Sequence, residues 1–507
     1  MSNKYVRIPE SISINLMEQN GYTLSSSQYM DLILPNQNFM LVSDFLDRSL
    51  RRSDLGIEVG SNSYIGQSPY YFIRTKALQS HSYLPEITSE TALPILPKSF
   101  YNANLKEGDL IISKDSNIGE VVILDKDYPN YMISGALYKL PVTHRKYYLL
   151  AFLKHPLFRE QLDFMVPKGA TIRHARTLFL DCKIPIPTKN SDDTIKYVEL
   201  ILHAIIEKEK LIRSRHQTIL DTIKTELREN QKPNKFNYEF PTLNDIIKNN
   251  RIDATYYSEK HKFLMFPILN YKDGYTALDK QGLVLKPGPS LEIRLLGTRI
   301  DSETPLPGFY RLITPKQILN FGTVKSFDFI GTPKKIASIE FGDILFGESG
   351  TGRTMVYLDN DTNTINNAHA HILRPIPIEC SLEKAITIRS IMQYYKEIGI
   401  TDCMTVGGAG GHLSPSYFDR VFIPNFPSEK QSEIAKLYYN PDLKYMTNTC
   451  TLNNFLQTDI NFNSMAGIYE LDKTANILKE RLDYTIDNII NDIEVEISFS
   501  FDEIPNK

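Results

Sequence analysis

The string Gly347-Glu348-Ser349-Gly350-Thr351-Gly352-Arg353-Thr354 nearly spells GxxxxGK[ST]. That loop holds nucleotide phosphates with backbone N–H groups and a lysine. Here Arg353 stands in the lysine's place, and Met355–Leu358 reads as strand where a helix should follow. A turn between strands is the plainer reading. A loop presenting Thr351, Arg353 and Thr354 to a phosphate-bearing polymer is the second, and an NTPase using Gly347–Thr354 is the third. The corresponding place in the first half of the chain, Ser113–Glu120, lacks the pattern but carries Lys114 and Asn117 as polar candidates.

The segment Lys168-Gly169-Ala170-Thr171-Ile172-Arg173-His174-Ala175-Arg176 has three fixed positive charges and no acid. Lys168, Thr171, Arg173, His174 and Arg176 suit phosphate contacts, and an arginine there could reach a guanine edge. Its counterpart in the second half, VGGAGGHLSPS, is nearly uncharged and offers glycines with His412, Ser414 and Ser416. Glycines permit close backbone approach, and hydroxyls can donate to phosphate. In Asn366-Asn367-Ala368-His369-Ala370-His371, alternate side chains share a face if the segment is a strand. His369 and His371 lack a third ligand nearby in sequence, so a metal is not expected, whereas Asn366 or Asn367 could read adenine. Arg74, Lys76 and Lys316 are further candidate phosphate contacts. No GxSxG, HExxH or paired-carboxylate motif occurs, nor an NPPY-like tetrapeptide or a dinucleotide-binding fingerprint, so no catalytic residue is assigned.

The elements that must position these residues occur twice. FIRTKAL at Phe72–Leu78 resembles LITPKQIL at Leu312–Leu319, with Thr75 opposite Thr314, and KIPIP at Lys183–Pro187 resembles FIPNFP at Phe422–Pro427, with Pro185 opposite Pro424; both matches are 239 residues apart. EGDLIIS at Glu107–Ser113 resembles FGDILFG at Phe341–Gly347 at an offset of 234. A five-residue difference in offset is an ordinary loop indel. Each copy runs through short β-like segments such as Val121–Leu124 and Met355–Leu358, then a helical stretch (Tyr147–Phe164, Leu382–Tyr395). A glycine-bearing loop and a strand ending in Ile-Pro follow, and then a long helix. In the first long helix Ile195, Val198, Leu202, Ile205, Ile212, Ile219, Ile223 and Leu227 form a narrow apolar stripe. The second begins near Ser428, breaks at Asn440-Pro441 and resumes with Ile468, Leu471, Ala475, Leu478, Leu482, Ile489 and Ile493. Such a stripe is the pattern of a coiled-coil seam, and the two helices are expected to pack on each other; two amphipathic helices, each packed on its own domain, are the plainer alternative. Pro441–Ala466, rich in Asn and Thr, reads as an inserted loop. The fold class is mixed α/β (α+β), with two duplicated domains separated by two long antiparallel, coiled-coil-like helices.

Composition narrows the function classes. The chain has 507 residues, 57 Lys+Arg against 60 Asp+Glu, and a net charge of -3. That excludes a protein that binds nucleic acid by bulk charge, though not one with local basic patches. The cysteines Cys182, Cys380, Cys403 and Cys450 form no CxxC pair. They read as free thiols in a reducing cytosol. No apolar run approaches the ~20 residues of a membrane span, so a cytoplasmic location is expected.

The order of these segments resembles the specificity (S) subunit of type I restriction-modification enzymes. The resemblance rests on Gly108-Asp109-Leu110 and Gly342-Asp343-Ile344-Leu345, the Gly169 and Gly408–Gly411 loops, and Ile184–Pro187 with Ile423–Pro427. SEKQSEI at Ser428–Ile434 and RIDATYY at Arg251–Tyr257 complete it. It spans most of the chain, and it departs from the pattern where TKNSDDTI stands in place of SEKQSEI. The resemblance implies target-recognition domains at 1–190 and 233–427, a central spacer helix at 191–232, and a C-terminal spacer at 428–507 with the insertion near 441–466. Each domain would read one half of a bipartite target in double-stranded DNA. The helices would set the gap and dock methyltransferase subunits, two in number, with restriction/translocase subunits completing the complex. S-adenosylmethionine, ATP and Mg would be bound by those partners and no cofactor by this chain. A recognition subunit of another methylation-based phage-defence system, or a scaffold that reads no DNA, are the alternatives.

Overall fold

The computed structural model describes residues 4–7, 9–19, 21–24, 29–166, 175–348, 352–406 and 411–501. The chain divides into two units: Met1–Lys210 with Lys444–Ser464 and Lys473–Lys507, and Leu211–Leu443 with Met465–Asp472.

The first unit is built on strands β1 (Phe39–Leu41), β2 (Tyr71–Ile73), β3 (Ala92–Pro94), β4 (Leu110–Ser113), β5 (Val121–Ile123), β6 (Tyr131–Ile133), β7 (Leu137–Leu140) and β8 (Lys183–Pro185). They form sheets ordered β3-β2-β6, β5-β4-β7 and the pair β8-β1. Within the first sheet β2 and β6 run parallel, and the remaining pairings are antiparallel. The period of two decides which side chain enters which core. Leu110, Ile112, Val121 and Ile123 join one apolar cluster, while Ile111 and Val122 between them join another. The sheet is therefore buried on both faces, and its strands read as continuous apolar runs. The helical stretch expected over Tyr147–Phe164 is two helices, α1 (Lys146–Lys154) and α2 (Pro156–Met165). Pro156 starts a new helix, and His155, at its N-cap, accepts from the Leu157 N–H.

Helix α3 (Ser191–Glu229) is one uninterrupted element of 39 residues, ~58 Å at 1.5 Å per residue. Asp192 and Asp193 in its first turn favour the positive end of its dipole. All eight stripe residues expected on it are buried. It begins in the first unit and ends in the second.

The second unit carries β9 (Tyr275–Ala277), β10 (Leu283–Lys286), β11 (Ile300–Ser302), β12 (Tyr310–Ile313), β13 (Asp328–Gly331), β14 (Ile344–Gly347), β15 (Thr354–Val356), β16 (Thr364–Asn366), β17 (Ala370–Pro375) and β18 (Phe422–Pro424). Its sheets are ordered β11-β13-β12-β16, β10-β17-β14-β15 and β9-β18. The topology repeats that of the first unit, including the parallel pair β12-β16, with β11 and β10 added as edge strands. Among its helices are α4 (Leu382–Glu397) and α5 (Ser428–Tyr438). The duplication is thus a duplication of sheet order. Its register corrects one match. The strand ends Ile73 and Ile313, and the 3₁₀ turns Thr75–Ala77 and Pro315–Gln317, lie 240 residues apart. Lys76 therefore stands opposite Lys316, Arg74 opposite Thr314, and Thr75 opposite Pro315 rather than Thr314.

The C-terminal helix is broken, as expected, but the inserted segment is not all loop. It contains helix α6 (Phe455–Met465), followed by α7 (Ile468–Ile490). In the first unit, Ile195, Val198, Leu202 and Ile205 of α3 share a core with Leu478, Leu482, Ile486 and Ile489 of α7 and with Phe455 of α6. Ile493 falls outside α7 and is exposed, which removes it from the seam. The insertion is pinned by a buried polar cluster. Lys208 Nζ lies 2.5 Å from Asp459 and 2.6 Å from Asn463 Oδ1, over the Tyr445 and Phe462 rings. The Tyr445 hydroxyl donates to Asp459 at 2.8 Å. Burial pushes the Lys208 ammonium down from its usual range, and Asp459 opposes that shift. In the second unit, Gly467 lies against the end of α5, where a Cβ would meet the Tyr438 carbonyl carbon at 2.6 Å. Glu470 receives the Asn440 and Gly467 N–H groups, closing the two ends of the insertion on each other. Side chain and backbone together hold the break in place.

No helix among the described residues is long and apolar enough to cross a membrane.

Candidate functional site

Each unit has the same tip, made of the hairpin loop β4–β5 or β14–β15, a 3₁₀ turn and the end of a loop. The motif that opens each hairpin is structural. Gly108 (φ 81°) and Gly342 (φ 87°) turn the chain in a conformation other residues avoid. The Asp that follows accepts from the backbone N–H three residues earlier, Lys106 in one unit and Glu340 in the other, at 2.8 Å each. Each Asp also holds a base on the neighbouring strand. Lys139 is 2.7 Å from Asp109, and Arg374 reaches both oxygens of Asp343 at 2.8 and 2.7 Å. The Asp343 hydrogen bonds raise the Arg374 guanidinium above its ordinary range.

Two of the residues marked as outward-facing candidates instead tie the hairpin to the turn. Asn117 donates to the Leu78 carbonyl at 2.8 Å, and Arg353 donates to the Ile318 carbonyl at 3.1 Å. Leu78 and Ile318 occupy the same place, directly after the 3₁₀ turn, so one tie is made by two residue types. Behind it lies a buried cation. In the first unit Lys154 donates to the Gln79 carbonyl at 2.7 Å and faces Glu120 at 3.6 Å. In the second unit Arg389 donates to the Thr354 and Asn320 carbonyls at 2.9 and 2.8 Å and stacks over Tyr438. Burial lowers both groups, Lys154 to about 8. Arg389 Nη1 has no hydrogen-bond partner among the described residues.

These ties overturn the nucleotide-loop reading. Gly347 and Thr354 belong to antiparallel strands, no helix follows, and the Thr354 hydroxyl, fully buried, donates to the Arg389 carbonyl at 3.2 Å. Phosphate-cradling chemistry needs a helix N-terminus there. Asn366 is likewise withdrawn. It is buried, with Nδ2 directed at the Ala370 carbonyl. Ser414 caps the turn Pro415–Arg420 by accepting from the Ser416 N–H and hydroxyl. Asn367 and Arg74 are half-buried, and Lys76, Lys316, Arg176 and His412 are exposed. Arg176 holds a left-handed backbone conformation at φ 48°. Lys168, Thr171, Arg173, His174 and Thr351 lie outside the described residues.

At the first residue beyond each hairpin strand the two tips part company. Lys114 and Glu348 occupy equivalent positions. Their N–H groups donate to the Ala136 and His369 carbonyls at 2.9 and 3.0 Å. Their carbonyls accept from Ala175 and Leu413, where the glycine-bearing loops end, at 2.8 and 3.1 Å. Lys114 pairs with Asp115 beside it. Glu348 lies 3.2 Å from His371 Nε2, a ring carried by β17. Sequence reasoning passed over Glu348, because in the nucleotide-loop pattern it is only a spacer. The signal was the offset of 234, which sets Lys114 opposite Glu348. No group of His, Cys, Asp and Glu among the described residues could hold a metal ion.

No family profile matches the chain, and no curated protein matches it. Solved structures do. The type I restriction-modification S subunit from M. genitalium covers 90% of this chain and 96% of its own, at 11% identity and a TM-score of 0.35. The HsdS subunit from Thermoanaerobacter tengcongensis covers 90% and 96%, at 12% identity and a TM-score of 0.27. A structure concerned with complex assembly and conformational transition of the type I R-M system covers 90% and 98%, at 12% identity and a TM-score of 0.26.

Proposed function

We propose that the chain is the non-catalytic DNA-specificity subunit of a type I-like restriction-modification complex. One observation carries the reading. A single scaffold, duplicated down to its turns and ties, presents different chemistry at equivalent tip positions. Two heads that read different half-sites of one target need that arrangement, because base readout depends on donor and acceptor placement while phosphate contacts only position. In this reading residues 1–190 and 233–427 are the recognition domains. The helices α3 and α7 set the gap and receive the methyltransferase subunits, with restriction/translocase subunits beyond them. Methyl transfer from S-adenosylmethionine and ATP- and Mg-dependent cleavage belong to those partners.

The test is a map of modified bases across the host genome with and without the gene. The expected outcome is that one bipartite motif, two short half-sites at a fixed gap, loses methylation on deletion. Unchanged methylation in cells that express the co-purifying chains overturns the reading. Identification of those chains separates a restriction-modification complex from another methylation-based defence system. In the assembled complex, Arg173→Ala with Arg176→Ala is expected to weaken binding at one half-site, measured at moderate salt.

A further inference from the structure

We infer that Glu348 is a base-reading residue of the second unit and takes a cytosine N4 amino group in its half-site, with His371 as its positioning residue. This rests on the DNA-reading function proposed above.

A carboxylate at a surface that meets DNA is repelled by every phosphate near it. It lowers affinity for all sequences, so what it can add to binding is directional: acceptance of a hydrogen bond from a base. Glu348 is built for that. Its backbone is clamped on both sides, the N–H to His369 and the carbonyl to Leu413. It follows directly on β14, so its Cα is fixed by the sheet. One oxygen, Oε2, is held by His371 Nε2 at 3.2 Å, and His371 sits in the centre of the β10-β17-β14-β15 sheet, paired with Phe346. The other oxygen, Oε1, has no partner among the described residues. The pair is neither sealed nor free: the Glu348 side chain is 23% exposed and that of His371 11%. A carboxylate oriented by a fixed ring, with one oxygen available, is a single directed acceptor.

In the major groove two bases present amino donors, cytosine through N4 and adenine through N6. Adenine sets the acceptor N7 beside its amino group, and N7 repels a second carboxylate oxygen. Cytosine has no acceptor on that edge, so an acidic side chain prefers it. The first unit has the opposite chemistry at this position. Lys114, paired with Asp115, offers only donors and suits a phosphate or a guanine edge.

The experiment is selection from a pool of random duplex DNA by the full chain together with the chains that co-purify with it. The bound fraction is sequenced for the wild type and for Glu348→Gln, Glu348→Ala and His371→Ala. The wild type is expected to enrich a bipartite motif with cytosine at one position of one half-site. Glu348→Gln is expected to move that position from cytosine to adenine, the base glutamine pairs with, by roughly tenfold in preference, leaving every other position unchanged. Glu348→Ala is expected to relax that position while raising affinity for mismatched DNA. His371→Ala is expected to blunt the preference without changing the favoured base. A structural ion pair would instead move melting temperature and affinity together, with no change in base preference. Should Glu348→Gln fail to fold, the wild type decides: changing that C·G pair to T·A sets the thymine O4 against the carboxylate and is expected to cost roughly tenfold. A motif without a cytosine position, or one that Glu348→Gln leaves unaltered, overturns the assignment and leaves DNA reading standing. A wild type that enriches no motif overturns both.

Discussion

The two units place their hydrogen bonds alike and fill them differently. The turn glycine and aspartate are the same, Gly108-Asp109 and Gly342-Asp343. The tie from hairpin to turn is an asparagine in one and an arginine in the other, ending on equivalent carbonyls. The buried cation is a lysine facing a carboxylate in one and an arginine held by carbonyls in the other. At the tip, lysine becomes glutamate. Divergence therefore grows from backbone geometry through interior ties to the half-buried position at the end of the hairpin strand. That gradient is expected of a scaffold kept for its shape and varied for what it meets.

The buried cations allow the sharpest break. Among the described residues no carboxylate lies directly on the Arg389 guanidinium, and its loss deprives the Thr354 and Asn320 carbonyls of that donor. It also empties the space against Gly322, where a Cβ would lie 2.7 Å from the guanidinium carbon. Arg389→Met is expected to destabilise the second unit by ~3–5 kcal/mol. Lys154→Met is expected to cost the first unit less, ~1–3 kcal/mol, because Glu120 keeps Arg159 as a partner. Hydrogen exchange read separately over 310–357 and 71–124 measures both. Equal losses would mean that the two cations do the same work despite their different surroundings.

Which parts of this were legible in the sequence follows from what each residue does. The glycine-aspartate turns were, because a left-handed turn and a capping carboxylate leave few alternatives. The stripe on α3 was, since eight apolar residues on one helix face must be covered, whatever covers them. The ties were not. Asn117 and Arg353 share neither type nor charge, and only the three-dimensional equivalence of Leu78 and Ile318 reveals them as one device. Asn366 looked like a base reader because a polar residue in a run of Asn and His has no sequence signature of burial. Helix α6 was missed because its stability comes from tertiary packing, Lys208 on Asp459 and Phe455 in the core, and Asn-rich stretches have weak helix propensity.

The turn aspartates sharpen the comparison at the next level down. Asp343 is 1% exposed and binds Arg374 through both oxygens, whereas Asp109 is 20% exposed and binds Lys139 once. Asp343→Ala is expected to cost ~3 kcal/mol and Asp109→Ala ~1 kcal/mol, measured as shifts in denaturant midpoint. A reversed order would mean that the exposed turn is the stronger constraint.

The second unit also has a pH liability. His216, on α3, is buried against the Phe321 ring and near Arg389, and burial and then that guanidinium depress the imidazole to about 3. In the unfolded chain it titrates near ~6.5. Above that pH the ring is neutral in both states and no stability is lost. As pH falls from ~6.5 toward 3, the unfolded state takes up a proton that the native state refuses, and stability falls. His216→Phe removes this response. The stability difference between variant and wild type is expected to shift by about 2 kcal/mol in the variant's favour between pH 7 and pH 5, read from denaturant titrations at both values.

The smallest expected effect tests whether the outermost positions are equivalent after all. Lys76 and Lys316 occupy the same place on the two 3₁₀ turns, and both are exposed. Unlike Lys114 and Glu348, they have not diverged. In the DNA-reading function proposed above, a residue that is basic in both units, where the Lys114 and Glu348 position changes sign, fits a phosphate contact, which carries no sequence information. Lys76→Ala and Lys316→Ala are each expected to lower affinity for every DNA sequence by a similar small factor. Each should reduce the slope of log affinity against log salt by about 1. Neither should alter the selected motif. A change in motif with either variant would place that lysine on a base edge, and the gradient of divergence would then fail to separate positioning residues from reading residues.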